Sequence, residues 1–282
     1  VPVAIGAALA IPVVYFLLAL GADKLQYWVL TPMFIGLAAM LFVEGVRNGG
    51  EARDKVIAML IIFAFNILFW MFFEQAGSSF TFLADQIVNR DIFSGALRDF
   101  VLWFSGQDQF ATAWFQSVNS IAIVTLAPVI AWGWVKLGSW NPSIPRKFGL
   151  GLLFNGLAFL LLMFALSKLV DPASMKIPFW TLFAVYWIQS IGELCLSPIG
   201  LSMVTKLAPM RLVGFGMGGW FLSTGIGNNL SGIFAGHVSG EGGMTTASAL
   251  SGYTFGFWAL VGSGVLLFLI APLIQKLMHG VK

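Results

Sequence analysis

Long uncharged runs dominate the chain, and the charged residues fall almost entirely in the gaps between them. Reading from one charge to the next gives Val1–Ala22, Leu25–Val43, Val56–Phe73, Gln109–Val135, Phe148–Ser167, Ile177–Gly192 with Leu194–Thr205, Leu212–Gly240 and the apolar part of Gly242–Gln275. A helix needs about 20 apolar residues to cross the hydrocarbon core of a bilayer. About eight stretches reach that length once the two flanking Glu193 are joined. The runs are continuous rather than alternating and exceed the ~10 residues of a barrel strand. Helices satisfy their own backbone polar groups in lipid, which strands of an open sheet cannot do. The pattern predicts an all-α membrane protein, a bundle of about eight transmembrane helices.

Composition agrees. Of 282 residues, 59% are apolar and 10% charged, against roughly 45–50% and 25% in soluble domains. Too few ionic groups remain to cover a water-exposed surface, which excludes an ordinary soluble enzyme and a disordered chain. A net charge of +3 on so apolar a chain forms no basic patch, so no nucleic-acid partner is expected. The single cysteine, Cys195, excludes a disulfide framework and any cysteine-based zinc site. Val1–Leu20 lacks the basic start of a signal peptide and is followed by seven further spans. The chain begins without Met, which points to a piece of something longer.

Loop charges set an expected orientation. With the 44–55 loop inside and alternating spans, Arg47, Arg53, Lys55, Lys136, Arg146, Lys147, Lys206, Arg211, Lys276 and Lys282 fall inside. Lys24, Arg90, Arg98, Lys168 and Lys176 fall outside, with Asp23, Asp85, Asp91, Asp99, Asp108, Asp171 and Glu241. An excess of Lys and Arg marks the cytoplasmic side, so the chain end after the last span is expected there. Within the outside loop of about Gln86–Phe110, the spacing of Phe93, Leu97, Phe100 and Val101 predicts an interfacial helix over Asp91–Phe104, anchored by Trp103. Ser239–Gly252, rich in Gly, Ser and Thr, is expected to be flexible.

Two carboxylates break the pattern. Glu74 ends an uncharged run in Phe-Trp-Met-Phe-Phe-Glu-Gln-Ala-Gly, Phe69–Gly77, and Glu193 sits near the middle of Ile177–Thr205. An ionised group at mid-bilayer costs at least ~2.5–3.5 kcal/mol on insertion scales, so such residues mark ion or substrate paths. The bland alternative is a neutral acid making one interhelical hydrogen bond. Asn119, with Gln116 on nearly the same face, is a third polar point, read either as interhelical glue or as the lining of a wet cavity. Pro198, five residues after Glu193, and Pro128, nine after Asn119, mark expected bends, and bent helices beside polar groups are common in transporter sites. Gly214-Phe-Gly216-Met-Gly218-Gly219 matches G-x-G-x-x-G, yet no strand precedes it and it opens a span, so a dinucleotide site is excluded. Gly214-x-x-x-Gly218 and Gly232-x-x-x-Gly236 instead predict close helix approach or sliding. Trp220, Ser223, Thr224, Asn228 and Asn229 make the following span unusually polar, suited to face protein or water. No nucleophile–base or metal-ligand spacing is present, so an enzyme is not expected.

These residues carry a resemblance. Phe72-Phe73-Glu74-Gln75-Ala76-Gly77-Ser78-Ser79, Trp114-Phe115-Gln116-Ser117-Val118-Asn119 and Gly192-Glu193-Leu194-Cys195-Leu196-Ser197-Pro198-Ile199-Gly200-Leu201, closed by Ala208-Pro209, resemble the second half of proton-dependent oligopeptide transporters of the major facilitator superfamily. The resemblance implies that residues 1–48 form the hairpin bacterial members carry between their six-helix halves, and that 49–282 form helices 7 to 12. It implies Glu74 as the proton-binding carboxylate, Glu193 and Asn119 as holders of a peptide amino terminus, and Trp70, Ser197, Leu201 and Trp220 as pocket walls. It further implies proton-coupled symport of di- and tripeptides across a bacterial cytoplasmic membrane, with no cofactor beyond the coupling proton. The family's Glu-x-x-Glu-Arg motif and mid-span bases are absent here; the implied partner is an N-terminal six-helix half that supplies them. The alternatives are a related carrier of nitrate or another small metabolite, and a non-transporting helical membrane scaffold or receptor.

Overall fold

The computed structural model describes residues 2–240 and 242–281; Val1, Glu241 and Lys282 lie outside the described residues. The chain forms α1 (Pro2–Ala19), then α2 (Ala22–Leu25), which runs through a π-helical turn, Gln26–Leu30, into α3 (Thr31–Arg47). Next come α4 (Gly50–Phe73), a 3-10 turn at Glu74–Gly77, and α5 (Ser79–Gln86). The remainder is α6 (Gly95–Ser105), α7 (Trp114–Lys136), α8 (Ile144–Lys168), α9 (Phe179–Leu207), α10 (Val213–Ser239) and α11 (Thr246–Leu277). No strand forms among the described residues, only an isolated bridge between Val88 and Ile177. Among the described residues, six segments are long and apolar enough to cross a membrane: Ala22–Arg47, Gly50–Gln86, Trp114–Lys136, Ile144–Lys168, Phe179–Leu207 and Thr246–Leu277. α10 has the length, but its glycines and the Asn228–Asn229 pair dilute its apolar character.

Helix α8 packs along both α9 and α11, and α4 pairs with α10. Bare backbone makes these contacts. A Cβ on Gly151 would lie 2.9 Å from the Gly192 carbonyl oxygen, and one on Gly192 would lie 2.8 Å from that of Gly151. A Cβ on Gly227 would meet Trp70 Cβ at 2.6 Å. The expected pairs fail here: Gly214, Gly218, Gly232 and Gly236 have nothing within 4 Å of their Cβ positions. Phe72, Phe80, Phe159 and Tyr253 interlock edge to face at the centre, with the Phe72–Phe159 rings 5.7 Å apart and Phe80–Tyr253 5.6 Å. The hairpin joins through α3, which packs on α4 and α10, and through Asn229, whose amide donates to the Ala22 carbonyl at 2.9 Å.

Contacts between connecting segments sort them into two ends, as alternating spans require. Arg211 lies 3.9 Å from Glu44 and His279 pairs with Asp54 at 3.1 Å at one end. At the other, Ile177 exchanges backbone bonds with Ile87 and Asn89, and Gln86 accepts from Met244 N–H at 2.8 Å. The helix in the 86–110 segment forms, but starts at Gly95 rather than Asp91; Trp103 is 80% exposed on it. The segment expected to be flexible up to Gly252 is already helical from Thr246. Thr245 accepts from Ser248 N–H while the Ser248 hydroxyl accepts from Thr245 N–H, which closes the helix start.

Candidate functional site

Glu74 does not continue a straight helix. α4 ends at Phe73, and the chain tightens into the 3-10 turn Glu74–Gly77 before restarting as α5. No proline causes this break, whereas Pro128 and Pro198 sit inside uninterrupted α7 and α9. Side chains take up the backbone groups that the break releases. The Tyr186 hydroxyl on α9 donates to the Ala76 carbonyl at 3.0 Å, and the Ser78 hydroxyl donates to that of Glu74 at 3.0 Å. Gln75, fully buried, donates to the Met71 carbonyl at 2.9 Å and to the carbonyl and hydroxyl of Ser231 on α10 at 3.2 and 3.1 Å. Mid-helix 3-10 turns often mark functional hinges, and a break in lipid persists only where neighbouring groups satisfy the backbone.

Between α7 and α9, Asn119 donates through Nδ2 to Glu193 Oε2 and to Ser190 Oγ, both at 3.0 Å. The Ser190 hydroxyl is itself anchored by donating to the Tyr186 carbonyl at 2.7 Å. Gln116, expected beside Asn119, is exposed and takes no part. The Glu74 carboxylate has no hydrogen-bond or ion-pair partner among the described residues, and it lies within electrostatic reach of Glu193. The site thus holds two partly buried acids, one oriented by an amide and the other unpartnered, with no base paired to either.

The flanking residues divide. Trp70 donates from its indole to Asn66 Oδ1 at 3.1 Å; Asn66, fully buried, donates to Ser223 and Thr224 on α10 at 2.8 and 3.1 Å. Ser197 keeps a buried hydroxyl with no partner, and Leu201 is partly buried one turn on. Trp220 is 5% exposed and packs against Gly200, Phe63 and Phe148, so it fills the contact between helices instead of standing on an open wall. A second buried network escaped the sequence reading. Gln189 on α9 donates to Asn155 Oδ1 on α8 at 2.8 Å, and Asn155 donates to the Phe69 carbonyl on α4 at 3.3 Å. Its only signal was a single amide inside each apolar run.

The profile of the POT family matches residues 37–246. The chain is 30% identical over 229 residues to the uncharacterized transporter YclF of Bacillus subtilis, a match covering 81% of this chain and 42% of that protein. It is 33% identical over 204 residues to dipeptide and tripeptide permease A of Escherichia coli, covering 72% of this chain and 38% of the relative. The solved structure of a peptide transporter POT in complex with sulfate superposes with a TM-score of 0.76 at 31% identity, covering 99% of this chain and 54% of that one. The chain thus spans less than half the length of these two relatives and about half of the solved transporter.

Proposed function

This chain belongs to the POT family, and on that premise we propose that its helices carry half of a proton-coupled transport site for di- and tripeptides. The observation that carries the reading is the pair of unneutralised carboxylates, Glu74 at a helix break and Glu193 held by Asn119. A peptide ammonium is a suitable counter-charge for Glu193, and a proton is one for Glu74. Two like charges in a low-dielectric cleft repel, so loading either cation eases the presence of the other carboxylate. Glu74 then acts as the proton carrier, Glu193 and Asn119 hold the peptide amino terminus, and Trp70, Ser197 and Leu201 line the wall. The peptide carboxylate is held by bases from an N-terminal six-helix half. A membrane potential contributes about 2.3 kcal/mol per charge per 100 mV to proton entry. In this reading the protein spans a bacterial cytoplasmic membrane several times, and the end bearing Arg47, Arg146, Arg211 and Lys276 faces the cytoplasm.

Dipeptide uptake by the full-length protein in liposomes tests the roles. Glu74→Gln is expected to abolish proton-driven accumulation and retain counterflow; unchanged accumulation refutes the coupling role. Glu193→Ala is expected to weaken competition by free dipeptides more than by amino-acetylated ones, and equal losses refute ammonium recognition.

A further inference from the structure

Helices α7 and α8 are consecutive in the chain yet barely touch: α7 packs along α9, and α8 along α9 and α11. The gap between them is a cavity of about 600 Å³, lined by Ile130, Gly133, Trp134, Phe154, Ile191 and Cys195. At the end of the bundle holding the Lys136–Lys147 connection, a second cavity of about 610 Å³ lies among Ser143, Arg146, Lys147, Pro198, Ser202 and Gln275. Both fall in the roughly 300–1,000 Å³ range of ligand sites. The first is walled almost wholly by apolar groups, and the second by bases, hydroxyls and amides.

Three bases stand at the junction. Lys136 lies 4.5 Å over the Trp132 ring and Lys147 4.8 Å over that of Trp134, so both ammonium groups are held at the cavity mouths by aromatic faces. Lys147 lines the polar cavity and is within electrostatic reach of Cys195 on the apolar one, which joins the two. Lys136, Arg146 and Lys147 have no acidic partner among the described residues, although Arg53, Lys55 and Arg211 at the same end are paired with acids. Two buried polar atoms nearby are also unpartnered, the Trp134 indole N–H and Gln275 Oε1.

We propose that the α7–α8 gap is a binding site for an anionic phospholipid, with one of its two acyl chains in the apolar cavity and the phosphate among Lys136, Arg146 and Lys147. Charge complementarity selects this occupant: an apolar slot that ends in three cations without acidic partners among the described residues fits a lipid that seats one acyl chain in the slot and carries a net negative head group. A zwitterionic lipid fills the slot equally well but leaves the net positive charge uncompensated. A lipid bound there touches both α7 and α9, the helix pair that positions Asn119 on Glu193.

Acyl-brominated phosphatidylglycerol, which quenches tryptophan at contact, titrated into the full-length protein in detergent provides the test, with brominated phosphatidylcholine and soluble glycerol phosphate in parallel. Saturable quenching is expected with phosphatidylglycerol at an affinity well above phosphatidylcholine, and Trp134→Phe is expected to remove part of the quenched signal. Each base removed is expected to weaken binding about fivefold, so that Arg146→Gln/Lys147→Gln loses about 25-fold, while Arg146→Lys/Lys147→Arg keeps it. Circular dichroism of the same samples confirms that the variants fold. Equal affinities for the two lipids, or an unaffected double variant, overturn the proposal. Competition by glycerol phosphate as strong as that by the lipid assigns the polar cavity to a free anion instead. Absence of saturable quenching means that the gap is covered by the protein itself, and also overturns it.

Discussion

The hydroxyl of Tyr186 ties α9 to a carbonyl inside the 3-10 turn that carries Glu74, and removing it isolates that contribution. Tyr186 is 2% exposed and donates to the Ala76 carbonyl at 3.0 Å. Tyr186→Phe leaves the ring in place against Phe80 and Phe115, each 6.1 Å away between centroids, so packing is unchanged. A hydrogen bond contributes a net ~0.5–1.5 kcal/mol, and interhelical bonds in membranes average about 0.6 and reach about 1.7. The Ala76 carbonyl lies in a 3-10 turn, keeps its place, and is left without a donor, which sets the loss near 1 kcal/mol. Tyr253→Phe is the control. Its hydroxyl, fully buried, donates at 3.2 Å to Ser79 Oγ, and the freed serine hydroxyl can rotate to its own helix backbone. Its loss is expected to stay below about 0.5 kcal/mol. Equilibrium unfolding in mixed dodecyl sulfate–maltoside micelles gives both values, and proteoliposome assays follow uptake. Tyr186→Phe should reduce proton-driven dipeptide uptake more than counterflow, because the freed turn carries the Glu74 side chain. A neutral Tyr186→Phe, or equal losses for the two tyrosines, refutes the view that this bond holds the break.

Gly192→Ala drives a methyl to within 2.8 Å of the Gly151 carbonyl and 3.3 Å of Phe154 Cβ; overpacking of this kind costs typically 1–3 kcal/mol, and a lowered melting temperature in detergent is expected, with an unshifted one refuting the contact. The Arg98–Asp108 ion pair, 2.7 Å long, ties α6 to the segment that enters α7. Its hydrogen bond from Arg98 holds the Asp108 carboxyl below the ordinary 3.8. The folded value lies below the unfolded one, so the tie is intact above about pH 4 and is lost as pH falls through the lowered value. Amide exchange over Gly95–Ser105 should therefore quicken only below that range, and in Asp108→Asn it should be fast at every pH; a protection change centred near pH 6–7, where histidine titrates, contradicts this assignment.

The spans were legible because the hydrophobic signal that places a helix in lipid is long, continuous and independent of tertiary detail. Glu74, Glu193 and Asn119 were legible because charge and amide groups are costly there, and Asn119 and Glu193 do meet in the structure. The break at Glu74–Gly77 was not legible. Proline is the local sign of a bend, but this break is held by groups distant in sequence, Tyr186 and Ser231, whose arrival depends on helix packing. For the same reason the Asn155–Gln189 and Asn66–Ser223 bonds were missed: each residue alone looks like a tolerated polar in an apolar run, and only the pairing makes it structural.

The glycines of α10 show what spacing can and cannot say. At 3.6 residues per turn each residue advances about 100°, so Gly219 and Gly227 lie within roughly 60° of Gly216. These three meet the neighbouring helices: a Cβ would lie 2.9 Å from Ala208 Cβ at Gly216, 2.7 Å from Leu37 Cδ2 at Gly219 and 2.6 Å from Trp70 Cβ at Gly227. Gly214, Gly218, Gly232 and Gly236 fall about 160–200° away on the same reckoning, which is why their Cβ positions meet nothing. The four-residue repeat was real, but it lies opposite the close contacts: Gly232 and Gly236 border a cavity with Ala22 and Asp23 instead of packing tightly on a helix. Spacing fixes the period of a helix face, while its phase is fixed only by what packs against it. Here Ala208, Leu37 and Trp70 set that phase, from segments as far apart in sequence as α3, α4 and the end of α9.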